Sequence, residues 1–198
     1  MRRIAYLTAL LLALAGAEAR GDDIEVPQAS LVAVDEGLVL NADFEFELNA
    51  RLEEVVANGV PLYFRVEFEM TRPRWYWFDE RAVSRVLQLR LSYHALSRQY
   101  RLSAGLLQQN FSSLEEALNV LKRVRNWLVA DRTITFSDAD YEAAVRMRLD
   151  AAMLPRPFQL SALTSRELQL ESPWRRFSVR PQQVPAPVES RQPKGGEK

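Results

Sequence analysis

The chain contains no cysteine and a single histidine, His94. The first absence excludes disulfides, thiolate metal sites, a cysteine nucleophile and an acylated cysteine anchor. The second excludes a multi-histidine metal centre within one chain. Glycine is scarce, at seven residues, and they form no phosphate loop, dinucleotide fingerprint or Gly-x-Ser-x-Gly elbow. Charge of one sign is not in excess either. Lys+Arg and Asp+Glu both number 26, which argues against the global basic field used to hold nucleic acid. The expectation is therefore no metal, no cofactor and no nucleic-acid partner. What remains is 47% apolar and 26% charged, enough for one ordinary hydrophobic core.

Long apolar runs are also missing, with one short exception. Arg2 and Arg3 precede an apolar stretch from Ile4 to Ala15, and Ala17-Glu18-Ala19 supplies the small-x-small pattern that a signal peptidase reads. The stretch is about 12 residues, short of the roughly 20 that a spanning helix needs. Residues 1–19 are expected to be a signal peptide cleaved after Ala19, delivering a periplasmic protein; a retained anchor is the alternative. At the other end several prolines and Lys194-Gly195-Gly196-Glu197-Lys198 show no periodicity. Residues 181–198 are expected to be a disordered, Pro-rich tail, leaving one β-rich domain over 20–180.

Period-two alternation marks the strands. Leu38, Leu40, Ala42, Phe44, Phe46 and Leu48 share one face, with Asn41, Asp43, Glu45 and Glu47 on the other. Leu62, Phe64, Val66, Phe68 and Met70 alternate with Tyr63, Arg65, Glu67 and Glu69; Tyr141 to Leu149 repeats the pattern, and Val83 to Tyr93 follows it loosely. One wet face per strand is the habit of antiparallel sheets. Asp35-Glu36-Gly37 predicts a hairpin between Ile24–Val34 and Leu38–Leu48, and His94–Ser97 another that returns as Gln99–Ala104. Late strands are expected over Phe158–Thr164 and Glu167–Glu171.

Two helices interrupt the strands. Asn49 caps the first, whose stripe is Leu52, Val55 and Val56 and whose end is Gly59. Ser112 or Ser113 with Glu115 or Glu116 forms a capping box for the second, in which Leu114, Ala117, Leu118, Leu121, Val124 and Leu128 recur at helical spacing. The fold class is mainly β with two helices (α+β): an antiparallel sandwich or curved antiparallel sheet with the helices at an edge or on one face. A helix-covered single sheet is the alternative.

One stretch carries unusual chemistry, Arg72-Pro73-Arg74-Trp75-Tyr76-Trp77-Phe78-Asp79. If extended, it puts aromatic rings on both faces. It is either a binding ledge, in which Arg72, Arg74, Trp75, Tyr76 and Trp77 offer planes for sugars or a peptide and guanidiniums for carboxylates, or an inter-sheet crossover whose rings plug the core. His94 lacks the partners of a catalytic histidine and reads as a turn residue. Glu67 with Glu69, and Asp43 with Glu45 and Glu47, would imitate a glycosidase pair only if carboxyls faced each other, whereas residues two apart on one strand point the same way. Lys122, Arg123, Arg125 and Arg132 form a basic cluster that would meet anionic lipid or peptidoglycan, or simply solvate a helix face.

In order along the chain, the leader, Asn58-Gly59-Val60-Pro61-Leu62, Arg72-Pro73-Arg74-Trp75-Tyr76-Trp77, Leu91-Ser92-Tyr93, Tyr100-Arg101-Leu102 and Ser113-Leu114-Glu115-Glu116-Ala117-Leu118 make up one pattern, completed by Leu154-Pro155-Arg156-Pro157-Phe158 and Ser172-Pro173-Trp174. The series resembles an exported proteobacterial family catalogued only as a domain of unknown function. The resemblance implies no catalytic residues. It does imply a periplasmic role near an envelope sensor system, with an inner-membrane or periplasmic protein as partner. Function is thus expected to be that of a non-catalytic periplasmic binding or interaction module. A cell-wall or polysaccharide binder using the aromatic ledge is one alternative, and a hydrolase another.

Overall fold

A computed structural model of the chain describes residues 23–74, 80–159 and 168–184. Its elements are β1 (Glu25–Val34), β2 (Gly37–Glu45), α1 (Ala50–Ala57), β3 (Leu62–Arg72), β4 (Glu80–His94), β5 (Gln99–Ala104), β6 (Leu107–Phe111), α2 (Leu114–Leu121), β7 (Arg123–Asp131), β8 (Tyr141–Leu149) and β9 (Arg175–Val179). All pairings between these strands are antiparallel. One sheet runs β1-β2-β7, the other β6-β5-β4-β3-β8-β9. The fold is therefore the mainly antiparallel α+β class expected, built as two sheets over a shared core, with α1 against β4 and α2 against β5, β6 and β7.

The alternating residues form the core as their period dictates. Leu62, Phe64, Val66, Phe68 and Met70 of β3 are fully buried, and Tyr141, Ala143, Val145, Met147 and Leu149 of β8 lie beside them. Each large side chain so buried stabilises the fold by roughly 1.5–3 kcal/mol relative to exposure. The β1–β2 hairpin forms at Asp35-Glu36, and Gly37 follows with φ +144°. A Cβ there would lie 2.0 Å from the Ala130 carbonyl oxygen, so only glycine lets β2 and β7 approach. The helix caps are those expected: Asn49 Oδ1 accepts from Leu52 N–H at 2.9 Å, and Ser113 Oγ from Glu116 N–H at 3.2 Å. Glu116 reaches back to Ser112 N–H at 3.1 Å, closing the capping box.

Three expectations are corrected. The second helix stops at Leu121, and Val124 and Leu128 belong to strand β7. β7 has irregular register against β2 between Leu38 and Val39 and between Leu40 and Ala42, and these bulges shift its apolar residues to spacings that mimic a helix. Phe158 falls in a helical turn over 156–159, where Pro155 and Pro157 flank Arg156; the rest of that expected strand lies outside the described residues up to 167. Of the strand expected at Glu167–Glu171, one bridge forms, Glu171 to Arg148, with Leu168 and Leu170 buried. The chain then adds β9 to the same edge of β8 and continues to Val184. Pro181 is buried and Val184 packs on the core; the rest of the expected tail, residues 185–198, lies outside the described residues.

Candidate functional site

The two sheets meet differently at their two flanks. At one, β1 touches β9. At the other, β6 and β7 are edge strands of different sheets, and α2 wedges between them before handing the chain straight to β7 at Arg123. A cleft of about 460 Å³ opens here, walled by Leu87 and Leu89 of β4, Leu102 of β5, Leu107 of β6, Leu121 of α2 and Trp127 of β7. The register explains the wall. Leu89 pairs with Ala104 and Ala104 with Leu107, while Leu91 pairs with Leu102 and Leu102 with Gln109, so these rows share the inner face of the sheet. Leu107 is nonetheless 77% exposed and Val120 40% exposed. Apolar walls with exposed apolar lips are the usual makings of a binding cleft.

Two arginines border this cleft and a second, more polar one of about 530 Å³ that contains Asp43, Glu45, Asn119 and Lys122. Arg125 is occupied: it is ion-paired with Asp43 and donates to the Ala42 carbonyl at 3.0 Å. Lys122 lies 5.3 Å from the Phe46 ring centroid, and Arg132 pairs with Asp35 at 3.6 Å. Arg123 is exposed and has no acidic partner among the described residues. The expected basic cluster therefore reduces to one available cation beside an apolar cleft.

The outer face of the six-stranded sheet is a second polar region, and it is internally satisfied. Glu67, 12% exposed, accepts from Arg146 Nε at 2.6 Å and from Arg148 at 3.1 Å, with Arg65 at 3.6 Å. Arg65 also reaches Asp150 at 3.5 Å, and Arg146 lies 4.5 Å from the Trp174 ring centroid. Burial pushes the Glu67 carboxyl up, but the hydrogen bonds and charges of Arg146 and Arg148 outweigh it and hold it below its ordinary value. A carboxylate so bound is structural, not a facing catalytic partner.

The residues singled out from sequence fare unevenly. Arg72 ends β3 in register with Glu80, and Arg74 is ion-paired with the same Glu80. Trp75, Tyr76 and Trp77 lie outside the described residues. The strands on either side of the run, β3 and β4, are neighbours in one sheet. His94 is exposed at the β4–β5 turn, its Nδ1 3.1 Å from Ser97 Oγ. Among the described residues no group of three or more His, Asp or Glu is placed to hold a metal. Sequence reasoning missed the cleft. Its one readable trace was the apolar pair Leu106-Leu107 after Gly105, followed by an uncharged Gln108-Gln109-Asn110.

Compared with known proteins, the chain matches over residues 21–178 a family model described as Domain of unknown function (DUF4390). It belongs to that family. No curated protein and no solved structure matches it.

Proposed function

We propose that this member of a family of unknown function is a non-catalytic binding module of the cell envelope, which holds an apolar group of a partner in the cleft between β6 and β7. The observation that carries the reading is the apolar wall of Leu87, Leu89, Leu102 and Trp127 with exposed Leu107 at its lip and Arg123 beside it. Burying the lip on binding would add to affinity about 25 cal/mol for each Å² of apolar surface covered. Export belongs to the same proposal. What supports it is the sequence pattern of Arg2 and Arg3, the apolar stretch from Ile4 to Ala15, and Ala17-Glu18-Ala19. A mature N-terminus at Arg20 in the periplasmic fraction, read by mass spectrometry, is the expected outcome for that part.

The cleft is tested with anilinonaphthalene sulfonate, an apolar dye with an anionic group. In a chain with Trp75, Trp77 and Trp174 changed to Phe, Trp127 is the sole tryptophan, and binding should give energy transfer from Trp127 to one dye per chain. Leu107→Glu should weaken the dye about tenfold or more, an effect of 1.4 kcal/mol or above. Equal binding by wild type and Leu107→Glu would overturn the reading.

A further inference from the structure

The four edges of the two sheets are not equally guarded. An edge strand exposes unpaired N–H and C=O groups, and proteins blunt it with proline, charge, bulges or shortness. β1 carries Pro27 and a register shift between Glu25 and Gln28. β7 carries Arg123, Arg125 and two irregularities, with Asn126 at φ +52°. β9 carries Arg175 and Arg176. β6, Leu107-Gln108-Gln109-Asn110-Phe111, has no charge, no proline and an unbroken register with β5. Like β7, it borders the apolar cleft.

The direction of its free groups follows from its hairpin. Gly105 and Leu106 form a two-residue turn, Gly105 at φ +59°, between the paired Ala104 and Leu107. In such a hairpin the closing pair is hydrogen-bonded and the next is not. Alternation then directs the backbone N–H and C=O of Gln108 and Asn110 away from β5, to the free edge. A strand laid there would set alternate side chains into the cleft, against Leu107 and toward Trp127, and the intervening ones on the outer face beside Arg101. Arg101 donates to Asn110 Oδ1 at 3.2 Å and, like Arg123, has no acidic partner among the described residues.

We infer that the free edge of β6 takes an extended, acidic segment of a partner protein as an added strand, its alternate apolar side chains entering the cleft. The carboxylates answer Arg101 on β5 and Arg123 at the cleft, neither of which has an acidic partner among the described residues. A second copy of this chain would bring an uncharged β6 to the same place and leave both arginines unanswered. The inference rests on the proposed role of the cleft and adds the backbone as a second recognition element.

The probe is a phage-displayed peptide library with Val, Leu, Ile or Phe at alternate positions and Ser, Thr, Asp or Glu between them, panned on the chain from residue 20 onward. Selected peptides are expected to be enriched in Asp or Glu and to lose about tenfold or more in affinity on Gln108→Pro. Proline is tolerated in an edge strand where its nitrogen faces solvent, so the variant keeps its fold, checked by far-UV circular dichroism. Should it unfold, N-methylation of the peptide at every second amide asks the same question: one phase should abolish binding and the other spare it. Arg123→Ala and Arg101→Ala should each weaken the acidic peptides. Insensitivity to both Gln108→Pro and N-methylation, or failure of any peptide to be enriched, overturns strand addition. If the dye still binds the cleft in that case, the proposed function stands and only its backbone element falls; loss of both removes both. A dimer in sedimentation that Gln108→Pro dissociates assigns the edge to a second copy and overturns the inference too.

Discussion

The two flanks of the six-stranded sheet are built from the same kind of strand and end in opposite conditions. At β3 and β8 every second residue is buried, and the outer row is closed by Glu67 with Arg65, Arg146 and Arg148. At β5 and β6 few residues are buried, Leu107 is exposed at the lip of the cleft, and Arg101 and Arg123 have no acidic partner among the described residues. The difference lies in what each strand meets. β3 and β8 have strand neighbours on both sides and share a core with the second sheet, whereas β6 has one neighbour among the described residues and a cleft. A strand whose own chain completes its surroundings shows it in burial and paired charge. One that stops short leaves apolar surface and cations together, the surface on which the proposed function rests.

The largest effect that separates the flanks is a core deletion. Phe68→Ala should cost about 3–5 kcal/mol, since the ring is fully buried between strands paired on both sides. Leu107→Ala should stay within about 0.5 kcal/mol, as expected of an exposed position. Urea unfolding of both variants makes the comparison. Similar losses would mean that the cleft wall is part of the core and that the contrast between the flanks is false.

Charge gives the next largest effect. Glu67 is held below its ordinary value by Arg146 and Arg148 despite its burial. A carboxyl whose folded pKa is depressed contributes stability above its unfolded value, about 4.3 for glutamate, and loses it as pH falls through the folded value. Wild-type stability should therefore decline as the pH drops below about 4.3, and Glu67→Gln should remove that part of the decline. At neutral pH the substitution should cost on the order of 1–3 kcal/mol, because charge-assisted bonds are lost and the arginines stay partly buried. Arg123→Gln at the open flank should leave both stability and its pH profile unchanged. A pH-dependent loss there would reveal an acidic partner within the fold.

The same contrast decides what was legible in the sequence. β3 and β8 alternate without interruption because each buries one face against the chain's own second layer, so Leu62 to Met70 and Tyr141 to Leu149 could be assigned by period alone. β6 carries Leu-Gln-Gln-Asn-Phe and has no period to find, since among the described residues only Phe111 at its end packs on the core. β7 reads as the end of a helix because Val124 and Leu128 continue the spacing of three and four from Leu121, and its bulges allow that spacing in a strand. The cleft is assembled from β4, β5, β6, α2 and β7, and no local pattern announces an assembly of that kind. Arg123 was noticed as a cation, but its isolation follows from Asp43 engaging Arg125, a contact across 82 residues of chain. Legibility failed where bulges, edges and contacts distant in sequence decide the structure.

The smallest effect tests the bulge that shapes the cleft. Asn126 sits at φ +52°, between Val124 and Trp127, with its N–H donating to Asn41 Oδ1 at 2.9 Å. The left-handed region costs most residues roughly 1–2 kcal/mol and asparagine or glycine much less. Asn126→Gly should thus be neutral within about 0.5 kcal/mol, and Asn126→Ala should cost about 1 kcal/mol. Without the inserted residue, Val124 and Trp127, three apart, would point to opposite faces of the strand; with it, both line the cleft. Asn126→Val, which favours regular extended backbone, should therefore weaken dye binding at Trp127 more than its modest loss of stability explains. If Asn126→Val and Asn126→Gly bind the dye alike, the aim of Trp127 is set by packing against α2 and β4, and the bulge is a guard on an edge, not part of the site.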